Sequence, residues 1–143
     1  MSANKEGHMS IDKKQLEEST DFTPHFNDQG LISCITISAK TNAVLMMAWM
    51  NEEALYKTLE TGEVHYWSRS RGELWHKGAS SGFVQRVKDI RIDCDQDCLL
   101  VSVEVSGAHE TACHTGRQSC FYRSITRENN GELKLRINED QPD

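Results

Sequence analysis

Asp93-Cys94-Asp95-Gln96-Asp97 and, further on, Cys113-His114-Thr115-Gly116-Arg117-Gln118-Ser119-Cys120 gather thiols, carboxylates and an imidazole into two short segments. No single ion favours both sulfur and oxygen donors. Thiolates select zinc and carboxylates suit magnesium or calcium, so the pattern points to two different metals held close together. Cys94, Cys113 and Cys120 would supply three zinc positions and leave the fourth to water, as catalytic zinc sites do. The later two thiols are set wider apart than in a zinc finger, and no second CxxC is present to close a structural site. The plainer alternative is three unrelated buried thiols.

Asp93, Asp95 and Asp97 alternate along what reads as the end of a strand. Alternation would turn their oxygens to one face, toward magnesium, and Cys94 to the other. A solvated acidic turn is the bland reading of the same residues. An EF-hand does not fit, because the central Gly and distal Glu are missing. His114 follows a candidate zinc thiolate and has a side chain suited to proton transfer near neutrality, as general base or acid. It could equally be a fourth zinc ligand or a donor to one. His25, His65, His76 and His109 have no comparable setting and read as packing or surface residues.

The stretch His65 to Gly82 brings Trp67 and Trp75 together with Arg69, Arg71, Lys77, Ser80 and three glycines. Arginine forks and closely approaching backbone amides suit phosphate, and an indole face suits a planar base. Arg69, Arg71, Trp75, Lys77 and Ser80 are therefore candidate substrate contacts. The competing reading is an ordinary hairpin with a charged outer face.

These residues need a frame. The chain has 143 residues, enough for one domain with a real core. A formal charge of −6 argues against nonspecific nucleic-acid binding, which needs a basic surface. No long apolar run or charged-then-apolar leader is visible, and a cytoplasmic location is expected. Five cysteines, three of them among Asp and His, fit metal binding better than a disulfide framework. Cys34 reads as a small buried hydrophobe, and Cys98 as core packing at the entry to a strand, with metal ligation as its alternative.

Strands are expected over 31–37 and 44–50, joined through Thr41-Asn42 as a hairpin. Further strands are expected over 64–68, 74–76, 84–93, 99–105, 120–126 and 133–137. Asn51 caps a helix over 52–61 that ends at Gly62. The fold class is thus α+β and β-rich, a small single domain of twisted antiparallel sheets or a pseudo-barrel with one or two short helices. Residues 1–19 read as a flexible extension, 20–130 as the working domain, and 131–143 as a C-terminal strand and tail.

Five ordered blocks then carry a resemblance: Met47-Ala48-Trp49-Met50-Asn51, Tyr66 to Arg71, Leu74-Trp75-His76-Lys77-Gly78, Asp93-Cys94-Asp95, and Ala112 to Gly116 running on to Ser119-Cys120-Phe121-Tyr122-Arg123. Over residues 20–126 the chain resembles the phosphoribosyl-AMP cyclohydrolases of histidine biosynthesis. The resemblance implies hydrolytic opening of the adenine ring of phosphoribosyl-AMP to a formimino-aminoimidazole carboxamide ribonucleotide. It also implies zinc on Cys94, Cys113 and Cys120, magnesium on Asp93, Asp95 and Asp97, and His114 as candidate base. A further implication is an intertwined homodimer that shares each zinc site between subunits. Some members are fused to a pyrophosphohydrolase; the monofunctional form is expected here. Two other functions remain to be weighed, a zinc nucleobase deaminase, whose H-x-E and P-C-x-x-C signature is absent, and a zinc-stabilised binding module.

Overall fold

The computed structural model describes residues 13–107 and 110–138, so His109 and the polar residues 1–10 lie outside it. A short helical run, α1, covers residues 13–18. Then come β1 (Ile32–Ser38), β2 (Val44–Met50), α2 (Glu52–Thr61), β3 (His65–Ser68), β4 (Glu73–His76), β5 (Gln85–Ile92), β6 (Cys98–Val105), β7 (Arg123–Arg127) and β8 (Leu133–Ile137).

Local chemistry explains the first elements. β1 and β2 are antiparallel, and their turn places Asn42 in the left-handed region at φ 64°, which Asn tolerates. The Asn51 side chain accepts from the Ala54 N–H, and Gly62 closes α2 at φ 75° with its N–H on the Thr58 carbonyl. The helix buries Ala54, Leu55 and Thr58 against the sheet.

Six strands form one sheet in the order β4-β3-β2-β1-β6-β5. The expectation of purely antiparallel pairing fails at one seam, because β1 and β6 run parallel. A parallel neighbour needs a long crossover, and the chain from β2 to β5 provides it. The sheet also curls. Glu63 bridges Arg86, the Val64 N–H donates to Gln85 O, and the Val87 N–H donates to Gly62 O, so the start of β3 meets the start of β5 in a half-barrel. Ile32, Cys34, Leu45, Met50, Leu55, Val64, Tyr66, Leu99, Val101 and Val103 fill its inside. Tyr66 is wholly buried there, and its hydroxyl meets Thr36 Oγ1 and Gln85 Oε1, both at 2.7 Å. Cys34 is a core residue as expected, and burial pushes its thiol up to about 12. Cys98, half-buried, opens β6 opposite Ser33.

Two expected boundaries move. The flexible extension cannot run to residue 19, since 13–18 are helical and the Gln96 amide donates to Leu16 O and Asp21 O. A cut at 130/131 would split a hairpin: β7 and β8 pair along five residues each as a separate two-stranded sheet.

Candidate active site

Strand register decides where the candidate ligands lie. β1 runs from Ile32, opposite Met50, to Ile37, opposite Val44, and Ser33 is also opposite Cys98. The turn joining β5 to β6, with Asp93 to Asp97, therefore sits at the Met50 end of the sheet. At the other end the Cys120 N–H donates to Leu45 O and Ser119 Oγ donates to Val44 O, both across β2's first residues.

At the first end the sequence expectation of an extended strand is corrected. Residues 93–97 form a turn: the Gln96 N–H returns to Asp93 O, and Gln96 takes φ 58°. The turn, not strand alternation, converges the aspartates, whose oxygens lie within 4.8 Å of one another. Asp93 Oδ1 accepts from the Asp97 and Cys98 N–H groups at 3.0 and 3.1 Å. Burial raises the Asp93 carboxyl somewhat, but those bonds outweigh it and leave it below the ordinary range. Asp97 shares a proton with Asp95 and, with partial burial and the nearby Asp93, is raised to about 6. Three crowded carboxyls of this kind suit a hard cation. Buried Gln96 holds the turn to the preceding segment, accepting from the Thr23 N–H at 2.8 Å. Cys94 is exposed on the same turn.

At the second end, Ala112 to Gln118 closes as a loop: the Ala112 N–H donates to Gln118 O, and the Cys113 N–H to Arg117 O. Its far side rests on buried Glu110, whose carboxylate accepts Ser38 Oγ at 2.8 and 2.9 Å and Gln118 Nε2 at 3.1 Å. Cys113 and Cys120 hydrogen-bond each other. Burial raises the Cys113 thiol, yet bonds from Thr115 and Cys120 and the Lys77 charge bring it below its ordinary value; Thr115 Oγ1 donates at 3.1 Å. Burial and the neighbouring Cys113 push Cys120 up to about 11. The two thiols thus differ, Cys113 being the more acidic of the pair.

Cys113 and His114 line a cleft of about 340 Å³ together with Arg71, Trp75, Lys77 and Ser80. Four of the five candidate substrate contacts therefore share one opening with Cys113. Arg69 does not. It lies over Trp49, 5.2 Å from the ring centre, in a neighbouring cleft with Trp67 and the other side of Trp75. His76 and Thr111, not singled out from sequence, also line the main cleft. Thr115 was missed too, although a hydroxyl two residues after a cysteine is a readable signal for a sulfur partner.

Cys94 is not with the other two thiols. Leu45 and Trp49 are four residues apart on β2, so the two ends are separated by roughly 13 Å of strand. Sulfurs sharing one zinc, each about 2.3 Å from it, must lie within about 5 Å of each other. One copy of the chain cannot bring all three to one ion, nor does it hold the thiol pair beside the aspartates. Among the described residues the aspartate trio is the one such cluster of three potential ligands. None of the described helices is long and apolar enough to cross a membrane.

Comparison with known proteins was made against this geometry. The family described as phosphoribosyl-AMP cyclohydrolase matches residues 46–122, which hold both candidate metal-ligand segments and the cleft. A phosphoribosyl-AMP cyclohydrolase of Rhizobium etli is 55% identical over 117 residues, 82% of this chain and 77% of the relative. One of Brucella anthropi is 54% identical over 126 residues, 88% of each chain. One of Nitrobacter hamburgensis is 52% identical over 126 residues, 88% of this chain and 84% of the relative.

Proposed function

Because the chain belongs to the phosphoribosyl-AMP cyclohydrolase family, we propose that its hydrolysis of a cyclic amidine bond in histidine biosynthesis is zinc-dependent and takes place in the cleft beside Cys113 and Cys120. The observation that carries this is Cys113, with Cys120 beside it, lining a cleft shared with Trp75, Arg71 and His114. Soft paired sulfurs are the donor chemistry zinc prefers, so the residues fit that ion. Cys94 is the third ligand and comes from a second copy of the chain, since its own copy holds it at the far end of the sheet. The functional unit is then a homodimer with each zinc position shared.

Zinc supplies, when bound, a Lewis acid that makes water acidic enough to attack near neutral pH. The chain's own residues do the rest. Trp75 offers a face to the adenine, Arg71 and Ser80 hold phosphate oxygens, and Arg69 reaches substrate only if it extends past Trp75. His114, exposed at the lip of the cleft, takes and returns the proton as C6 is attacked and its bond to the substituted ring nitrogen breaks. Asp93, Asp95 and Asp97 would hold magnesium, which would supply positive charge against the substrate's phosphates.

The test is incubation with phosphoribosyl-AMP with and without a chelator, following the ring-opened product. Turnover that survives complete removal of zinc would refute the zinc reading. Ammonia release in place of ring opening would support the deaminase alternative.

A further inference from the structure

Lys77 stands out as a cation without an anion. Its side chain is nearly buried, 9% exposed, and its Nζ donates to the Ala112 carbonyl at 2.6 Å beneath the Trp75 ring, 5.1 Å from the ring centre. Among the described residues no carboxylate pairs with it. A buried ammonium satisfied only by a neutral carbonyl and an indole face is costly, and such charges persist where an anion is near. Lys77 and Cys113 line the same cleft, and the carbonyl that Lys77 grips belongs to the residue before Cys113.

The backbone around Lys77 is equally committed. Its N–H donates to Val64 O, and the next residue, Gly78, runs so close to the Phe83–Val84 peptide that a Cβ there would lie 2.4 Å from backbone atoms. The ammonium is therefore held from a fixed point on the sheet and grips the peptide immediately before Cys113. An incoming phosphate would find little of it uncovered.

We propose that Lys77 is a positioning residue for the paired thiols, clamping the Ala112 carbonyl and balancing the charge of the zinc-bound ligand set, in place of the phosphate contact expected from sequence. This rests on the zinc reading above. Three thiolates around a dication leave one net negative charge, and a single buried ammonium balances it. Groups that orient or balance metal ligands are worth about tenfold to a hundredfold in metal affinity.

The experiment compares zinc competition by a chromophoric chelator, KM for phosphoribosyl-AMP at saturating zinc, and thermal melting of the zinc-free protein, in wild type, Lys77→Met and Lys77→Arg. Lys77→Met should weaken zinc by about tenfold or more while KM stays within about twofold, and Lys77→Arg should recover part of the affinity by keeping the charge. Unchanged zinc affinity in Lys77→Met overturns the proposal. So does a large rise in KM with zinc retention intact, which is the signature of a phosphate ligand, or equal loss in both variants tracking a lowered melting temperature. If Lys77→Met does not fold, Lys77→Gln gives the same comparison with a polar side chain that lacks charge. A wild-type protein that retains no zinc would instead sink the underlying function.

Discussion

The two ends of the six-stranded sheet hold their ligands in opposite ways. At the β2 start, Cys113 is buried, Glu110 and Gln118 brace its loop from below, and Lys77 clamps it from the side. At the β5–β6 turn, Asp93, Asp95, Asp97 and Cys94 are all exposed, fixed mainly by backbone turns and Gln96. One end is a prepared pair of soft donors in a cleft. The other is a projecting set of hard donors with one free thiol beside them, which suits a group offered to another molecule. The contrast is what the proposed sharing of each site between two copies requires.

The sharpest way to break that comparison is to separate the halves. Cys113→Ser and Cys94→Ser should each abolish zinc retention and turnover when expressed alone. Co-expressed, they should form hybrids in which Cys94 of one variant meets Cys113 and Cys120 of the other. Random pairing with one intact site per hybrid restores about a quarter of wild-type activity. No recovery in a preparation shown to contain hybrid dimers would mean that the thiols act within one chain.

Much of this was legible before any coordinates. The helix over 52–61 and strand β2 follow from caps, turn residues and apolar pattern, which are local properties. What sequence could not supply was anything set by pairing partners. The β1–β6 seam is a contact between segments 60 and more residues apart, and its parallel sense depends on the crossover path. The same holds for the site. Cys94 and Cys113 looked like neighbours because they are close in the chain, yet register sends them to opposite ends. Asp93 to Asp97 looked like a strand because alternation of Asp resembles strand periodicity, whereas Gln96 in the left-handed region makes it a turn. Lys77 read as a phosphate grip because burial of its ammonium is invisible in a string of residues.

The next two effects measure how firmly each end is built. Gly78→Ala places a Cβ 2.4 Å from the Phe83 and Val84 backbone at φ 90°, where neither strand nor loop can yield cheaply. It should cost about 2 kcal/mol or more of stability in urea unfolding and loosen the Lys77 clamp. Gln96→Ala removes the bonds to Thr23 and Asp21 that tie the aspartate turn to the preceding segment. It should cost about 1–2 kcal/mol and weaken magnesium binding without changing zinc affinity within the thiol pair. If Gln96→Ala disturbed zinc as strongly as magnesium in the monomeric state, the ends would not be independent.

The smallest effect is one of pH and belongs to the aspartate end alone. Asp97, hydrogen-bonded to Asp95 and crowded by Asp93, holds a proton up to about 6 in the fold against 3.8 when free. Between those values the folded chain binds more protons than the unfolded one, so this group's contribution to stability falls as pH rises through about 6. Asp93 has the opposite sign, since its lowered carboxyl favours the fold above 3.8 and that contribution is lost only at lower pH. A cation on the trio must displace the Asp97 proton. The rise in melting temperature produced by magnesium should therefore be full near neutrality and shrink at about pH 5, and Asp97→Asn should reduce it at both. Taking the difference with and without magnesium cancels His65, whose burial lowers it and which lies far from the turn. A magnesium shift of equal size at both pH values would show that the ion does not compete for the Asp97 oxygen, and the trio would then be an acidic turn and nothing more.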